Sequence, residues 1–132
     1  MTAIVDASVA AKWVLNEEHS AEANALRAED GLMAPALIAA ELGSVLWKAF
    51  RRGTLSQADA LTALQLGLLP FAELVPDENL HQRALALAID LRHPVYDCFY
   101  LALAERENAP LATADEGMIA AARKAKIKVR RI

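Results

Sequence analysis

Cys98 is the only cysteine in the chain, so no disulfide can form within it. No apolar run approaches the roughly 18 residues that would mark a bilayer-spanning helix. The N-terminal stretch MTAIVDASVAAKW has no basic region and meets an acid at Asp6, which predicts that it is not a secretory signal. Together these absences predict a cytoplasmic protein that makes no membrane contact. Glycine and proline number five each, and there is no linker, low-complexity tract or internal repeat. The chain is thus expected to form a single domain over 1–132. The three histidines, His19, His81 and His93, are scattered near helix ends and read as exposed. With so little histidine and cysteine, a zinc site has no ligand cluster to draw on.

Apolar residues are plentiful, at 55%, enough for a substantial core. Net charge is −3, but it is unevenly spread. Residues 123–132 (RKAKIKVRRI) hold six of the 14 basic residues and no acid, which leaves eight basic and 17 acidic groups, a balance of −9, in residues 1–122. The basic tail suits a phosphate backbone, and it equally suits a solvated helix end running into a charge-protected edge strand.

Along the chain, short apolar runs alternate with helical patterns. Residues 3–5 end abruptly at Asp6 and read as a buried strand, followed by a helix over 8–15. Residues 20–29 read as a helix capped by Ser20. Residues 32–34 are a short strand candidate, after which Pro35 is expected to open a long helix that Gly53 ends. Ser56 starts another helix to about Leu69. A strand over 71–75, a helix over 78–92 stopped before Pro94, a helix over 96–107, a strand over 111–113, a helix over 115–125 and a strand over 127–130 complete the pattern. Such alternation predicts an α/β fold with a mainly parallel central sheet flanked by helices. Ligand crevices in such sheets lie beyond the carboxyl ends of the strands. Asp6 and Asp115 both fall there.

Four acids stand out. Glu41 lies in the most apolar helix, with Leu37, Ile38, Ser44 and Val45 as its helical neighbours. A carboxylate on such a face needs a partner, either a metal or a cation such as Lys48 or an arginine of another helix. Asp97, at the start of the 96–107 helix, shares a face with Leu101 and Ala104, so it is expected to point inward, although a first-turn acid also suits the helix dipole. Asp6 and Asp115 could equally serve as helix caps. Ser8 and Thr113 stand two residues from Asp6 and Asp115, where their hydroxyls could orient a carboxylate or a metal-bound water, or act as local caps. Hard oxygen donors without a His or Cys cluster point to Mg2+ or Mn2+. Cys98 reads as a small core residue. Trp13 and Trp47 read as core more readily than as surface anchors.

The segments VDASVAAKW (5–13), APALIAAELGSVLWKAFRRG (34–53), VYDCFYLALAE (95–105) and PLATADEGM (110–118) together resemble the PIN-domain family, in particular the VapC-type toxins of toxin–antitoxin pairs. Each motif is weak alone; the four in order are specific, and they span essentially the whole chain. The resemblance implies a PIN fold, Mg2+- or Mn2+-dependent endoribonuclease activity on an RNA substrate, a homodimer, and inhibition by a VapB-type antitoxin. It also implies the site: Asp6 as the aspartate after the opening strand, Glu41 as the helical glutamate, Asp97 of the YD motif and Asp115 of the T-x-D motif as catalytic metal ligands. Ser8 and Thr113 would support them, and Glu116 competes with Asp115 for the last position. Surplus apolar residues at Leu61, Leu64, Leu66, Leu68 and Leu69 agree with covered surfaces. Two rival readings are a catalytically silent PIN module that only binds and a receiver-type phosphoacceptor domain. The second would need an acid pair after the first strand, where Ala7 follows Asp6, and an aspartate after a central strand, where the 71–75 run ends in Val75-Pro76.

Overall fold

A computed structural model describes residues 2–16 and 20–132. Strand β1 (Ala3–Val5) leads into helices α1 (Ala7–Val14) and α2 (Ser20–Arg27). Strand β2 (Leu32–Pro35) is followed by α3 (Ile38–Arg51) and α4 (Gln57–Leu68). After β3 (Glu73–Val75) come a 3-10 turn at Asp77–Asn79, α5 (His81–Leu91) and α6 (Val95–Glu107). The chain ends with β4 (Leu111–Thr113), α7 (Glu116–Lys124) and β5 (Val129–Arg131). The sheet order is β3-β2-β1-β4-β5, and every pair is parallel. This is the α/β architecture with a parallel sheet that the alternating pattern predicts.

β1 lies at the centre of the sheet. Its residues are at most 1% exposed, which explains why it reads as an unbroken apolar run: both its faces are covered. Helix α6 packs across β1 and β2. The chain moves from β1 to one side for β2 and to the other for β4, so the crevice of such sheets opens between the carboxyl ends of β1 and β4. The receiver reading fails on this topology. A receiver orders its strands 2-1-3-4-5, with the third inside the sheet. Here β3 is at the edge and ends at Val75.

Some elements differ from the sequence pattern. Pro35 does not open α3; it closes β2, paired with Val75, and the Ala36 N–H donates to the Val75 carbonyl at 2.8 Å. A proline suits a strand's end as well as a helix's first turn, and here the pairing with β3 decides. The N-terminus of α3 is capped from afar, the Leu37 N–H donating to Asp77 Oδ1 at 3.1 Å. Ser20 is the first helical residue of α2 rather than its cap. Ser56 caps α4 as expected, accepting from the Asp59 N–H at 3.0 Å, and Gly53 takes a left-handed φ of 79° after α3. Gly67 lies inside α4, where the absence of a Cβ leaves room for the Leu42 side chain of α3, whose Cδ2 would lie 2.5 Å from one.

Trp13 is core, its indole N–H donating to the Ala23 carbonyl at 2.6 Å. Trp47 is not: it is 54% exposed, with the Arg51 guanidinium 4.9 Å from its ring centre. The basic tail is partly consumed at the sheet edge. Arg130 makes a two-pronged ion pair with Glu29 at 3.0 and 2.8 Å, and Arg131 pairs with Glu116. Among the described residues no helix is long and apolar enough to cross a membrane.

Candidate active site

Each of the four acids is delivered by a different element. Asp6 directly follows β1 and caps α1, accepting from the Val9 N–H at 3.3 Å. The Ser8 hydroxyl donates to its Oδ1 at 2.6 Å, and the Thr113 hydroxyl donates to its Oδ2. Capping and burial coexist here, since Asp6 is only 4% exposed. Burial pushes its pKa from 3.8 up to about 6 against the pull of those three hydrogen bonds, and the charge of Asp97 adds to the rise.

Ser8 and Thr113 tie the ends of β1 and β4 together. The Ala114 N–H donates to Ser8 Oγ and the Asp115 N–H to Thr113 Oγ1, each at 3.0 Å. Asp115 caps α7, accepting from the Met118 N–H at 2.7 Å. Glu116 turns outward to Arg131, so Asp115, not Glu116, faces the crevice.

Glu41 stands in the first turn of α3, half-buried. Its partner is neither Lys48 nor an arginine but Tyr100, whose hydroxyl donates to Oε1 at 2.6 Å. Burial raises the Glu41 pKa, the Tyr100 hydrogen bond opposes this, and the charges of Asp97 and Asp77 add to it. The buried Tyr100 phenol is itself pushed well above its ordinary value, chiefly by burial and then by Glu41, so it stays a donor. Asp97, in the first turn of α6, meets His93 Nε2 at 2.7 Å through Oδ2.

Asp6, Glu41, Asp97 and Asp115 line one cleft of about 310 Å3, together with Ser8, Ser44, Lys48 and Tyr100. Among the described residues no lysine or arginine forms an ion pair with any of the four. The acids are close enough for Asp97 to act on both Asp6 and Glu41. They are not a finished cage: among the described residues no three His, Cys, Asp or Glu side chains already stand as a metal-binding group. Converging hard oxygen donors that no lysine or arginine neutralises through an ion pair among the described residues fit a divalent cation. Cys98 is buried, and burial raises its thiol to about 11, which suits a core residue and not a nucleophile.

Two neighbours of the site were not visible as such in the sequence. His93 is largely buried against Asp97 rather than exposed; the i, i+4 spacing was its one sequence signal. Tyr100 lies 59 residues from Glu41, a contact that only the packing of α3 near α6 creates. His81 is exposed as expected, and His19 lies outside the described residues.

The PIN domain family matches residues 3–124. Ribonuclease VapC3 of Pyrobaculum aerophilum is 35% identical over 124 residues, covering 87% of this chain and 90% of that protein. Ribonuclease VapC9 of Mycobacterium tuberculosis is 35% identical over 112 residues, covering 85% of this chain and 84% of that protein. Among solved structures, VapBC2 from Rickettsia felis, bound to a DNA fragment from their promoter, superposes with a TM-score of 0.73 at 15% identity, covering 99% of this chain and 98% of that one.

Proposed function

This chain belongs to the PIN domain family, and on that premise we propose that it is a VapC-type toxin, a cytoplasmic endoribonuclease that acts as one domain over 1–132 and uses Mg2+ or Mn2+. The observation that carries this reading is the meeting of four carboxylates from four separate elements in one cleft, none of them ion-paired with a lysine or arginine among the described residues. Asp6, Glu41 and Asp97 would hold the main ion, and Asp115 would complete the site. When bound, the ion supplies a water activated near neutral pH and neutralises charge on the phosphate.

The chain's own residues do the rest. Ser8 and Thr113 fix the Asp6 carboxylate, Tyr100 fixes that of Glu41, and no side-chain nucleophile is needed. Lys48 borders the cleft and, with Arg51 and Arg52, lines a neighbouring hollow of about 230 Å3, a cationic approach for an RNA backbone. Of the tail, Arg123, Lys124, Lys126 and Lys128 remain exposed, but they lie between the end of α7 and the start of β5, at the opposite end of β4 from Asp115. The experiment is inducible expression of wild type and Asp6→Asn in a bacterial host with mapping of RNA ends. Growth arrest with discrete new 5′ ends for wild type alone is expected. Wild type without new ends would instead identify a silent binding module.

Two exposed apolar faces suit two protein partners. Trp47, Phe50, Leu61 and Leu64 line a groove of about 380 Å3 between α3 and α4. An antitoxin helix would fill it and bring an arginine to the acids, where opposite charges attract. Leu66 and Leu69 are exposed beside a separate hollow near Trp13 and Val14, whereas Leu64 and Leu68 are partly packed on the core. Separately, Leu85 and Ile89 of α5 and Tyr96 of α6 are 55%, 68% and 65% exposed, a face suited to a second copy. Light scattering at micromolar concentration should give the mass of two chains for wild type and Trp47→Asp, and of one chain for Ile89→Asp. A monomeric wild type would contradict the dimer.

A further inference from the structure

We propose that His93 is a positioning residue for Asp97: it holds one carboxylate oxygen and leaves the other free for a divalent cation in the cleft. The inference rests on the metal site of the preceding reading and goes beyond it by assigning a role to a residue outside the four acids.

The geometry begins with helix capping. Pro94 is the N-cap of α6, which places Asp97 at the third helical position. An acid at that position commonly reaches back to the backbone N–H of the N-cap residue. Pro94 has no such N–H, so this route is closed. His93, one residue before the cap, occupies it instead, with Nε2 at 2.7 Å from Asp97 Oδ2. Among the described residues Asp97 has no other hydrogen-bond partner, so Oδ1 is uncommitted in a carboxylate that lines the cleft.

The imidazole is itself held in place. Arg92 ends α5 in the left-handed region at φ 53°, a conformation that side-chain-bearing residues seldom adopt, and the His93 N–H donates to the Ala88 carbonyl at 3.1 Å. Gly117, in the first turn of α7, lies near the Cε1 edge of the ring: a Cβ there would be 3.9 Å from His93 Cε1 and 3.2 Å from Asp115 Oδ2. His93 thus lies close to the carriers of two of the four acids. Groups that hydrogen-bond to metal-binding carboxylates fix their orientation, and losing one typically weakens metal binding by about 10–100-fold.

The test is calorimetric titration of Mn2+ into metal-free protein, which reads the site without any reference to catalysis. His93→Leu keeps bulk beside Gly117 and removes the donor. His93→Gln keeps a donor that reaches across one helical turn. We expect Mn2+ to bind His93→Leu about 10–100-fold more weakly than wild type, with His93→Gln restored to within about threefold and melting curves of the metal-free proteins showing that all are folded. If the leucine variant fails to fold, His93→Met makes the same comparison. Wild-type affinity in the donor-free variant would overturn the inference, as would tighter binding, which would make His93 a competitor for Asp97. Equal weakening in the leucine and glutamine variants would reduce its role to filling space. A wild type that binds no Mn2+ would overturn the metal site itself and this inference with it.

Discussion

Asp6→Asn is expected to reduce RNA cleavage by orders of magnitude while making the metal-free protein more stable at pH 7.5. Both effects follow from one fact: Asp6 is a buried carboxylate that, among the described residues, no cationic side chain pairs with. Its folded pKa of about 6 lies above its ordinary 3.8, so the folded state holds the proton more tightly than the unfolded state. The associated stability is complete below about 3.8 and is lost as pH rises through about 6. At pH 7.5 the ionised form therefore carries a cost of about 3 kcal/mol, which asparagine does not incur. The amide must donate where the carboxylate accepted, and mismatch with the Thr113 or Ser8 hydroxyl takes back about 1–2 kcal/mol. A net rise in melting temperature together with loss of cleavage separates a functional charge from a structural one. Glu41→Gln and Asp97→Asn should also lose cleavage by orders of magnitude, since each removes a charged donor and keeps its shape. Asp115→Asn should lose less, because in the proposed site Asp115 completes the shell rather than holding the main ion, and the amide oxygen can still accept from the Met118 N–H to keep α7 capped. An Asp6→Asn protein that cleaves RNA at the wild-type rate would remove Asp6 from the site.

Mn2+ should raise the melting temperature of wild type, and by more at pH 7.5 than at pH 5.5. At pH 5.5 much of Asp6 is protonated, and Glu41 shifts in the same direction, so protons compete with the ion. At a free concentration about 100-fold above its dissociation constant, an ion that binds only the folded state adds about 2.7 kcal/mol. For a chain of this size that corresponds to roughly 10 °C. Without metal the order reverses, the protein being more stable at mildly acidic pH because the clustered acids need not all ionise. Differential scanning fluorimetry in EDTA and in Mn2+ at the two pH values reads both effects. Superimposable melts with and without Mn2+ would contradict the metal site.

What the sequence makes legible here is what depends on local contacts. Asp6 and Asp115 were legible because they end apolar strands, and a parallel sheet fixes where such ends lie. Glu41 was legible because a charge on an apolar helix face demands a partner. The partner's identity was not: Tyr100 reaches Glu41 only because α6 lies across the sheet near α3. His93 reads as exposed in the sequence because its burial depends on the left-handed turn at Arg92 and on the neighbouring Gly117 of α7. Pro35 reads as a helix start because its pairing with Val75 is a long-range contact. Trp47 reads more readily as core because α3 is apolar on more than one side, and its surplus face lines a surface groove.

The metal-dependent nuclease site is tested by cleavage of a structured RNA by purified protein stripped of metal, then supplied with EDTA, Mg2+ or Mn2+, with Asp97→Asn run in parallel. Discrete cleavage is expected from wild type only when a divalent ion is present, and none from Asp97→Asn under any condition. Cleavage by wild type that persists in EDTA, or wild-type cleavage by Asp97→Asn in Mn2+, would contradict that site.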